Sequence, residues 1–388
     1  MTARSGVNRS NVKTILTLFG TRPEIIKLAP VIWAIERSHD ILRSINVSSS
    51  QHSDLLRPFI HELDISIDHD LAVMTPGQTP NAVLARVLEA LEPLLLAERP
   101  DLVLVQGDTT TAIAGALAAF YARIPVAHVE AGLRTGNRHS PYPEEMNRRL
   151  ITQLADLHFA ATQNNVEILL AEGVQKKCIV LTGNPVVDAL QHILARSPAS
   201  SSFSKFLDSF ADKRLIVLTT HRRENFGQIM SAHLKALRRF VGRHQDVALV
   251  FPVHPNPSVR AVVDAEFTGA ERIHCIDPLK YDDFLHLLSR AWLVISDSGG
   301  VQEEVPSLGK PLLILRDTTE RPEVLDCGIG RLVGHSGERL EEMLEAALLD
   351  KSWFDTANTT ENPFGKGNAG EQIASAVAQF LTAGEGGA

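Results

Sequence analysis

The sequence predicts an α/β protein with two doubly wound domains in tandem and a cleft between them. Short apolar runs alternate with helical segments along nearly the whole chain, which is the rhythm of βαβ units around a parallel sheet. The chain has 388 residues, enough for two full hydrophobic cores. The run SPASSS at 197–202 interrupts the rhythm, so the domain boundary is expected between about Asn184 and Arg214.

The first series of elements predicts an N-terminal domain over residues 12–190. Its apolar runs carry few polar residues, which favours strands buried on both faces. Helices are expected from Pro23, which suits a first helical position, and from about Ser53, over 79–97, over 112–122 and from Glu144. Strands are expected at 12–18, 45–48, 102–106, 126–129, 157–161 and 178–181.

The second series predicts a C-terminal domain over residues 210–365. A final helix at 366–382 is expected to pack back on the N-terminal domain. Doubly wound sheets bind ligands beyond the carboxyl ends of their strands, so a site is expected there, in the cleft. Strands are expected at 215–219, 247–253, 272–276, 292–296, 311–315 and 331–333.

Composition excludes several classes of protein. A net charge of −8 argues against nucleic-acid binding. No apolar run approaches the ~20 residues of a membrane span, and the polar segment 1–13 lacks the apolar core of a signal peptide. Cys178, Cys275 and Cys327 lie far apart without metal-type spacing and are expected to be small buried residues in a reducing compartment. A cytoplasmic protein is therefore expected.

The chain is organised around LVISDSGGVQEE at 293–304, which predicts a strand, a tight turn and a helix. Gly299 and Gly300 allow a ligand to approach the backbone closely. Ser298 is expected to cap the helix, whose free amide groups favour an anion such as phosphate. Glu304, one turn later, can accept hydrogen bonds from a ribose diol.

Other strand ends also carry charged residues, although any one of them alone is more often a cap or a solvated loop residue. Arg22 offers a guanidinium that matches two phosphate oxygens, and Lys27 follows one turn later. His221 can hydrogen-bond a phosphate or give it a proton. Three carboxylates are expected on the N-terminal side of the cleft, those of Asp108, Glu130 and Glu144. Carboxylates crowded in a shielded site push their pKa values apart, so that one serves as acid and another as base.

Two common nucleotide motifs are missing. The first strand is not followed by Gly-x-Gly-x-x-Gly, and no Walker pattern ends in Gly-Lys-Ser/Thr. A tightly held nicotinamide and ATP chemistry are therefore not expected. No cofactor and no metal is expected.

Nine segments together resemble the non-hydrolysing UDP-N-acetylglucosamine 2-epimerases, in order and with family spacing over about 13–334. They are FGTRPE (19–24), QGDTTT (106–111), HVEAGLR (128–134), YPEEMNR (142–148), GNP (183–185), HRRENFG (221–227), PVHPNP (252–257), DSGGVQEE (297–304) and RDTTERPE (316–323).

This resemblance implies a glycosyltransferase-B-like fold, with the nucleotide held mainly by the second domain. It implies an isomerase that interconverts UDP-GlcNAc and UDP-ManNAc, usually as a homodimer supplying polysaccharide biosynthesis. It assigns catalysis to Asp108, Glu130 and Glu144, with Lys27 and His221 serving the same site. It assigns UDP-sugar binding to Lys27, Asp108, Glu130 and His221 of this set, and also to Arg22, Leu279, Phe284, Ser298, Gly299, Gly300, Glu304 and Arg321.

Some family members need a second UDP-GlcNAc as an activator. Gln51, Arg86 and His254 match positions used for that activator. Asp54 departs from the pattern, since a polar amide is common there in activated members.

The chemistry expected is loss of UDP with removal of the C2 proton, through a 2-acetamidoglucal, followed by readdition of UDP. Four other readings stay open at the level of sequence. They are a hydrolysing 2-epimerase that releases ManNAc and UDP, a 2-epimerase of a diacetamido uronic acid UDP-sugar, a UDP-sugar glycosyltransferase, and a nucleotide-sugar sensor without catalysis.

Overall fold

The computed structural model describes residues 12–50, 59–60, 62–75, 77–196, 199–220, 222 and 225–383. The chain forms two compact units. The first comprises the chain up to Ala189 together with the segment from Phe364 onward, and the second comprises Leu190–Pro363.

The first unit alternates strands and helices from its first described residues. Its strands are β1 (Lys13–Phe19), β2 (Leu42–Ser48), β3 (His69–Asp70), β4 (Leu102–Gln106), β5 (Val126–Ala131), β6 (Leu157–Ala160) and β7 (Ile179–Leu181). Its helices are α1 (Arg22–Arg37), α2 (Pro80–Glu98), α3 (Thr110–Tyr121), α4 (Glu144–Leu154), α5 (Gln163–Ala171) and α6 (Pro185–Arg196), whose last residues belong to the second unit.

Within the described residues, the first sheet has seven parallel strands in the order β3-β2-β1-β4-β5-β6-β7. Strands β1 and β4 are neighbours although β2 and β3 lie between them in sequence, so the strand order reverses at this pair. A doubly wound sheet opens a crevice beyond the carboxyl ends of such a pair. The turns after Phe19 and Gln106 therefore lie at the natural ligand-binding position of this sheet.

The second unit repeats the same plan. Its strands are β8 (Arg214–Thr219), β9 (Val247–Pro252), β10 (Ile273–Ile276), β11 (Leu293–Ser296), β12 (Leu312–Ile314) and β13 (Gly330–Leu332). Its helices are α7 (Ser201–Asp208), α8 (Gln228–Arg243), α9 (Pro257–Phe267), α10 (Tyr281–Arg290), α11 (Gly299–Glu304), α12 (Glu323–Asp326), α13 (Gly337–Leu349) and α14 (Lys351–Thr359).

In the part of the chain that the structure describes, the second sheet has the parallel order β10-β9-β8-β11-β12-β13. The order reverses between β8 and β11, whose register pairs Ser296 with Thr219. The turn after Ser296 and the loop after Thr219 therefore lie side by side. This pair of turns is the counterpart of the β1/β4 pair in the first sheet.

Burial explains why the central strands read as continuous apolar runs. Strands β4 and β11 are buried at every residue, because helices cover both faces of each sheet. The α/β rhythm and the two doubly wound sheets confirm the predicted fold class, and the described central strands lie within a few residues of their predicted bounds.

Several elements differ from the sequence-based expectation. The two-residue strand β3 and the helices α5 and α7 were not predicted, and β5 continues to Ala131 rather than ending at Val129. The cysteines were expected to be buried, which is wrong: Cys275 on the edge strand β10 is exposed, and Cys178 and Cys327 are partly exposed. The helix expected from about Ser53 begins outside the described residues.

The final helix, α15 (Ala369–Ala383), packs on α1 within the first unit. Gly370 lies so close to α1 that a Cβ there would be 2.5 Å from the Pro30 carbonyl oxygen. The Gly370 N–H donates to Asp188 Oδ1 at 2.9 Å, which ties the start of α15 to α6. No helix among the described residues is both long and apolar enough to cross a membrane.

Gly370→Ala should destabilise the first unit by about 1–3 kcal/mol, because the new methyl group meets backbone atoms that cannot rotate away. Urea or thermal unfolding would measure the loss. Ser375→Ala is the matched control, since Ser375 is exposed on the same helix and alanine is the better helix former. Equal stability of the two variants would contradict the close packing of α15 on α1.

Candidate active site

Glu130 stands at the carboxyl end of β5 in an unusual backbone conformation. Its φ is +65°, in the left-handed region that non-glycine residues seldom adopt. The register between β5 and β6 shifts between Val129 and Ala131, which marks a bulge at Glu130. Such strain persists only where the surroundings enforce it, and it concentrates at functional sites.

Side chains from three described elements hold the Glu130 carboxylate. Lys27 from α1 forms a short ion pair with Oε1, and Gln106 at the end of β4 donates a short hydrogen bond to Oε2. Asn184, at the start of α6, donates from Nδ2 to Oε1 at 3.1 Å. The side chains of Lys27 and Glu130 are nearly buried, so their attraction is only weakly screened by solvent. The structure thus brings together the predicted pair Lys27 and Glu130.

Asp108 follows β4 by two residues and is held by helix α4. The Arg148 guanidinium donates from Nε to Asp108 Oδ2 at 2.7 Å, and its Nη2 lies at the same distance from that oxygen. Asn147 donates from Nδ2 to the Asp108 carbonyl oxygen at 2.8 Å. Glu144 is the first residue of α4, one turn before these two residues, so Asp108 rests against the helix that carries Glu144.

Arg148 is in turn positioned by a buried acid. Glu145 is fully buried, and its Oε2 lies 3.6 Å from Arg148 Nη1. The same oxygen accepts from the Thr135 N–H at 2.9 Å, which ties α4 to the loop after β5. Arg148, Glu145, Gln106 and Asn184 were not singled out as individual site residues from the sequence, although all four lie within segments of the family resemblance.

Glu24 accepts hydrogen bonds from both turns at the carboxyl ends of β1 and β4. Its Oε2 accepts from the Gly20 N–H at 3.1 Å, and from the Thr21 N–H and hydroxyl at 2.8 and 2.7 Å. Its Oε1 accepts from the Thr109 hydroxyl at 2.7 Å, and Thr109 caps α3. Glu24 is fully buried, and burial raises its pKa to about 7 against the lowering effect of these hydrogen bonds. Arg22 lies two residues before Glu24 in sequence and Asp108 directly precedes Thr109, so this carboxylate fixes the turns that carry both residues.

Two histidines lie behind the site in the sheet. His128 on β5 pairs in register with His158 on β6, and both are buried. Burial lowers the pKa of His128 to about 4 and that of His158 to about 3, so both rings are neutral at pH 7. The His128 Nε2 is 2.7 Å from the Gly107 carbonyl oxygen, so this neutral ring braces the turn that leads to Asp108.

Arg22 is the first residue of α1, at the edge of the same set of turns. Its guanidinium lies over the Phe59 ring, 4.3 Å from the ring centroid, where a cation is attracted to the aromatic face. The predicted residues of the first unit therefore lie at the ends of its strands or on the helices that follow them. They are Arg22, Lys27, Asp108, Glu130 and Glu144.

In the second unit, Asp297 joins the two turns at the β8/β11 pair. Its Oδ2 accepts from the Thr220 hydroxyl at 2.7 Å, the Arg222 N–H at 3.0 Å and Asn225 Nδ2 at 2.9 Å. Asp297 is fully buried. Its carboxylate therefore anchors the loop after β8 beside the Ser298–Gly300 turn.

The predicted Ser-Gly-Gly turn leads from β11 into α11. Ser298 occupies the capping position, but its hydroxyl makes no cap hydrogen bond, so the expectation that it caps α11 is wrong. The Ser298 N–H donates to Ser296 Oγ at 3.0 Å, which satisfies that amide within the turn itself. Gly299 is in contact with Arg321, since a Cβ at Gly299 would lie 2.6 Å from Arg321 Nη1. The structure thus brings Ser298, Gly299, Gly300 and Arg321 together.

Buried acids fix the arginines beside this turn. Arg321 donates from Nε to Glu303 Oε1 at 2.6 Å, and Arg316 donates from Nη1 to Glu320 Oε2 at 2.6 Å. Burial alone would raise the pKa of Glu320, but the Arg316 hydrogen bond and the charges of Arg321, Arg316 and Arg222 outweigh it and lower that pKa to about 2. The arginines are thereby held in place by groups of the protein itself.

The remaining predicted nucleotide residues lie around α10 and α11. Glu304 is buried, and its Oε1 accepts from the Tyr281 hydroxyl at 2.7 Å. Tyr281 begins α10, Leu279 lies in the loop just before it and Phe284 in its first turn, and both Leu279 and Phe284 are partly exposed. Tyr281 lies within the segment 276–284 that was expected to border the uracil, but it was not singled out, because a lone tyrosine there carries no special pattern.

Two of the predicted activator residues, Arg86 and His254, lie within the described part of the chain. Arg86 on α2 binds within its own unit, to the Thr75 hydroxyl, the Val73 carbonyl oxygen and the Gln78 side chain. His254 follows β9 in the second unit and accepts from the Asn256 N–H at 3.2 Å. Gln51, Asp54 and His221 lie outside the described residues.

The two Rossmann-like domains, each with its polar residues at the carboxyl edge of its sheet, define a glycosyltransferase-B-like protein. The family model described as UDP-N-acetylglucosamine 2-epimerase matches residues 34–378. The chain is 43% identical over 370 residues to the UDP-N-acetylglucosamine 2-epimerase of Escherichia coli strain K12, covering 94% of this chain and 98% of the relative.

Solved structures agree with the sequence comparison. The UDP-GlcNAc 2-epimerase of Neisseria meningitidis bound to UDP-GlcNAc superposes with a TM-score of 0.89 at 38% identity, over 94% of this chain and 100% of that one. The Methanocaldococcus jannaschii enzyme in complex with UDP-GlcNAc and UDP gives a TM-score of 0.80 at 34% identity, over 94% and 99%. The chain belongs to the UDP-N-acetylglucosamine 2-epimerase family, whose named activity is that of an isomerase.

Ionisation of Glu24 should make stability depend on pH. An unfolded glutamate titrates near 4.5, whereas Glu24 in the folded chain titrates near 7. As the pH rises from about 4.5 to 7, the unfolded chain releases this proton and the folded chain keeps it. The free energy of unfolding should therefore fall by up to about 3 kcal/mol across this window and stay level above it.

Glu24→Gln cannot ionise and should lack this loss of stability. Urea unfolding between pH 5 and pH 8 measures the free energies of unfolding of the parent and the variant. Their difference at each pH gives the contribution of Glu24 ionisation. Glu371→Gln is the control, because the Glu371 side chain is exposed. A parent-minus-variant difference that does not change with pH would contradict the raised pKa of Glu24.

Proposed function

We propose that this protein catalyses the reversible C2 epimerisation of UDP-GlcNAc to UDP-ManNAc by elimination and readdition of UDP, through a 2-acetamidoglucal. The observation that carries the proposal is the placement of Glu130. Glu130 has a left-handed backbone at a bulge at the carboxyl end of β5, and side-chain donors that include Asn184 hold its carboxylate, while Asp108 is bonded to the helix that begins at Glu144. This is an arrangement for moving protons rather than for binding an anion.

The second domain is proposed to hold UDP. The Ser298–Gly300 turn offers backbone approach, and Arg321 beside Gly299 offers a preorganised positive charge for the diphosphate. Glu304 is proposed to accept from the ribose hydroxyls, with Leu279 and Phe284 bordering the uracil. Arg22 and His221 are proposed to add to the charge that stabilises departing UDP. The Neisseria enzyme bound to UDP-GlcNAc and the Methanocaldococcus enzyme in complex with UDP-GlcNAc and UDP support a UDP-sugar ligand.

The C2 proton of the sugar is not acidic while the anomeric phosphate is attached, so departure of UDP must lead or accompany its removal. The C1–O bond breaks, and the electron pair leaves with the diphosphate. A carboxylate of the set Asp108, Glu130 and Glu144 takes the C2 proton, and the C1–C2 double bond forms. Protonation of C2 from the opposite face, with attack of a UDP oxygen on C1, gives the epimer.

Lys27 is proposed to serve this step through Glu130. Its ammonium group lies against Glu130 Oε1 and fixes that carboxylate in place. A homodimer, a cytoplasmic location, a role in polysaccharide biosynthesis and control by a second UDP-GlcNAc remain predictions of the family resemblance.

One incubation separates this activity from its rivals. When the protein is incubated with UDP-GlcNAc in D₂O, we expect deuterium to appear at C2 of an intact UDP-sugar. NMR detects this exchange. Free ManNAc with UDP would identify a hydrolysing epimerase. An absence of exchange would overturn the proposal in favour of a transferase or a sensor.

Asp108→Asn should lower kcat by about 10²–10⁴-fold, the usual contribution of one acid–base group, while UDP still binds. Coupled assay of UDP-ManNAc formation and calorimetric titration with UDP measure the two quantities. The control is Asp101→Asn at the opposite end of β4, where Oδ2 accepts from the Thr14 N–H and an amide oxygen can do the same. Normal turnover of the Asp108 variant would remove Asp108 from the mechanism.

Gly299→Ala tests the diphosphate site. Its methyl group would displace the Arg321 guanidinium, so the Kd for UDP should rise by about 10–100-fold, the value of a charge-assisted hydrogen bond. Gly242→Ala in the same domain is the matched control, because nothing lies within 4 Å of a Cβ at Gly242. Calorimetric titration with UDP measures both variants, and parental affinity in the Gly299 variant would argue against Arg321 as a diphosphate ligand.

A further inference from the structure

Asn184 links Glu130 to the last segment of the chain. It lies three residues after the end of β7, is 1% exposed and belongs to the GNP motif, to which no function has been assigned. Its backbone N–H donates to the Phe364 carbonyl oxygen at 2.6 Å, and its side chain reaches Glu130 Oε1 at 3.1 Å. One buried residue therefore contacts both a carboxylate of the site and the point where the chain re-enters the first unit.

The orientation of the Asn184 amide is fixed by its partners. Asn184 Oδ1 accepts from the Val186 N–H at 3.1 Å, in the first turn of α6. A backbone N–H can only donate, so the oxygen must face Val186 and the NH₂ group must face Glu130. The amide thus delivers a donor to the same carboxylate oxygen that pairs with Lys27.

The returning segment is packed tightly behind Asn184. Gly183 has a φ of +82°, and a Cβ there would lie 3.0 Å from the Phe364 carbonyl oxygen and 3.1 Å from Gly365 Cα. Farther along, Gln372 Nε2 donates to the Thr182 carbonyl oxygen at 3.3 Å. The loop that presents Asn184 is therefore held against the chain from Phe364 to Gln372.

We infer that Asn184 is a positioning residue for Glu130, and that the segment 364–372 is part of the support of this site carboxylate. The inference rests on the proposed epimerase function. Asn184 does not touch the substrate in this role: it orients Glu130 beside Lys27 against the strained backbone of the bulge. Without the amide donor, Glu130 keeps its charge partner but loses one of the contacts that set the direction of its carboxylate.

A plain capping role for Asn184 makes a different prediction. Asparagine is a good helix cap, and a cap alone changes stability but not turnover. Asn184→Ser keeps a capping oxygen for Val186, and its side chain is too short to reach Glu130. Asn184→Asp also keeps the capping oxygen and replaces the donor by a carboxylate. Ser336→Ala is the control, because it removes a cap hydrogen bond to Arg339 from α13 and leaves the Glu130 contacts intact.

The experiment measures kcat and KM for UDP-GlcNAc, the Kd for UDP, C2 deuterium exchange in D₂O and Tm for the parent and the three variants. We expect Asn184→Ser and Asn184→Asp to lower kcat and exchange by about 10–100-fold, the value of a hydrogen bond to a charged group. The Kd for UDP should stay within about two-fold, since UDP is held by the other domain. Ser336→Ala should lower Tm and leave kcat unchanged.

The outcomes separate this inference from the proposed function. Parental kcat in Asn184→Ser, with an exchanging parent, would overturn the inference and leave the epimerase in place. A fall in kcat that merely follows Tm across all variants, including Ser336→Ala, would also overturn it. A parent that does not exchange C2 deuterium would overturn the epimerase function and this inference with it.

Discussion

A buried carboxylate at the strand-order reversal of each sheet is the constraint on which the carboxyl-edge turns of each domain depend. Glu24 accepts hydrogen bonds from the turn after β1 and from Thr109 after β4. Asp297, after β11, accepts from Thr220, Arg222 and Asn225 after β8. In each sheet the two turns diverge on opposite sides of the reversal, and one acid ties them together. The turns that carry Arg22, Asp108 and the Ser298–Gly300 segment are therefore held in place by these acids.

The two acids are fixed by different means. Glu24 relies on hydroxyl and amide donors, with no cation among the bonds described, and burial raises its pKa to about 7. In the second domain, arginines surround the turn that Asp297 supports, and their ion pairs with Glu303 and Glu320 are formed before a ligand arrives. A preorganised positive cluster loses little on binding an anion, because its side chains are already ordered.

Much of the fold was readable from the sequence, since its apolar runs are buried strands and its turns carry Gly, Pro and Thr where the backbone needs them. The β5 bulge was not readable, because the left-handed conformation of Glu130 is imposed by tertiary contacts and has no local signal. Ser298 looked like a cap, yet its hydroxyl makes no cap hydrogen bond. Arg148, Gln106 and Asn184 were passed over individually, because a supporting side chain is recognised only by what it touches.

The return of the chain to its first domain has a consequence for biosynthesis. Helix α15 packs on α1 although more than 300 residues separate them. During synthesis, all strands of the amino-terminal domain are therefore made long before its last helix, α15, and before the segment at Phe364 that supports Asn184. Its completion must wait until the whole intervening domain has been synthesised. The support of Glu130 is therefore the last part of the first domain to be completed. A nascent chain that ends at Pro363 would contain Glu130 but not the segment from Phe364 onward that supports it.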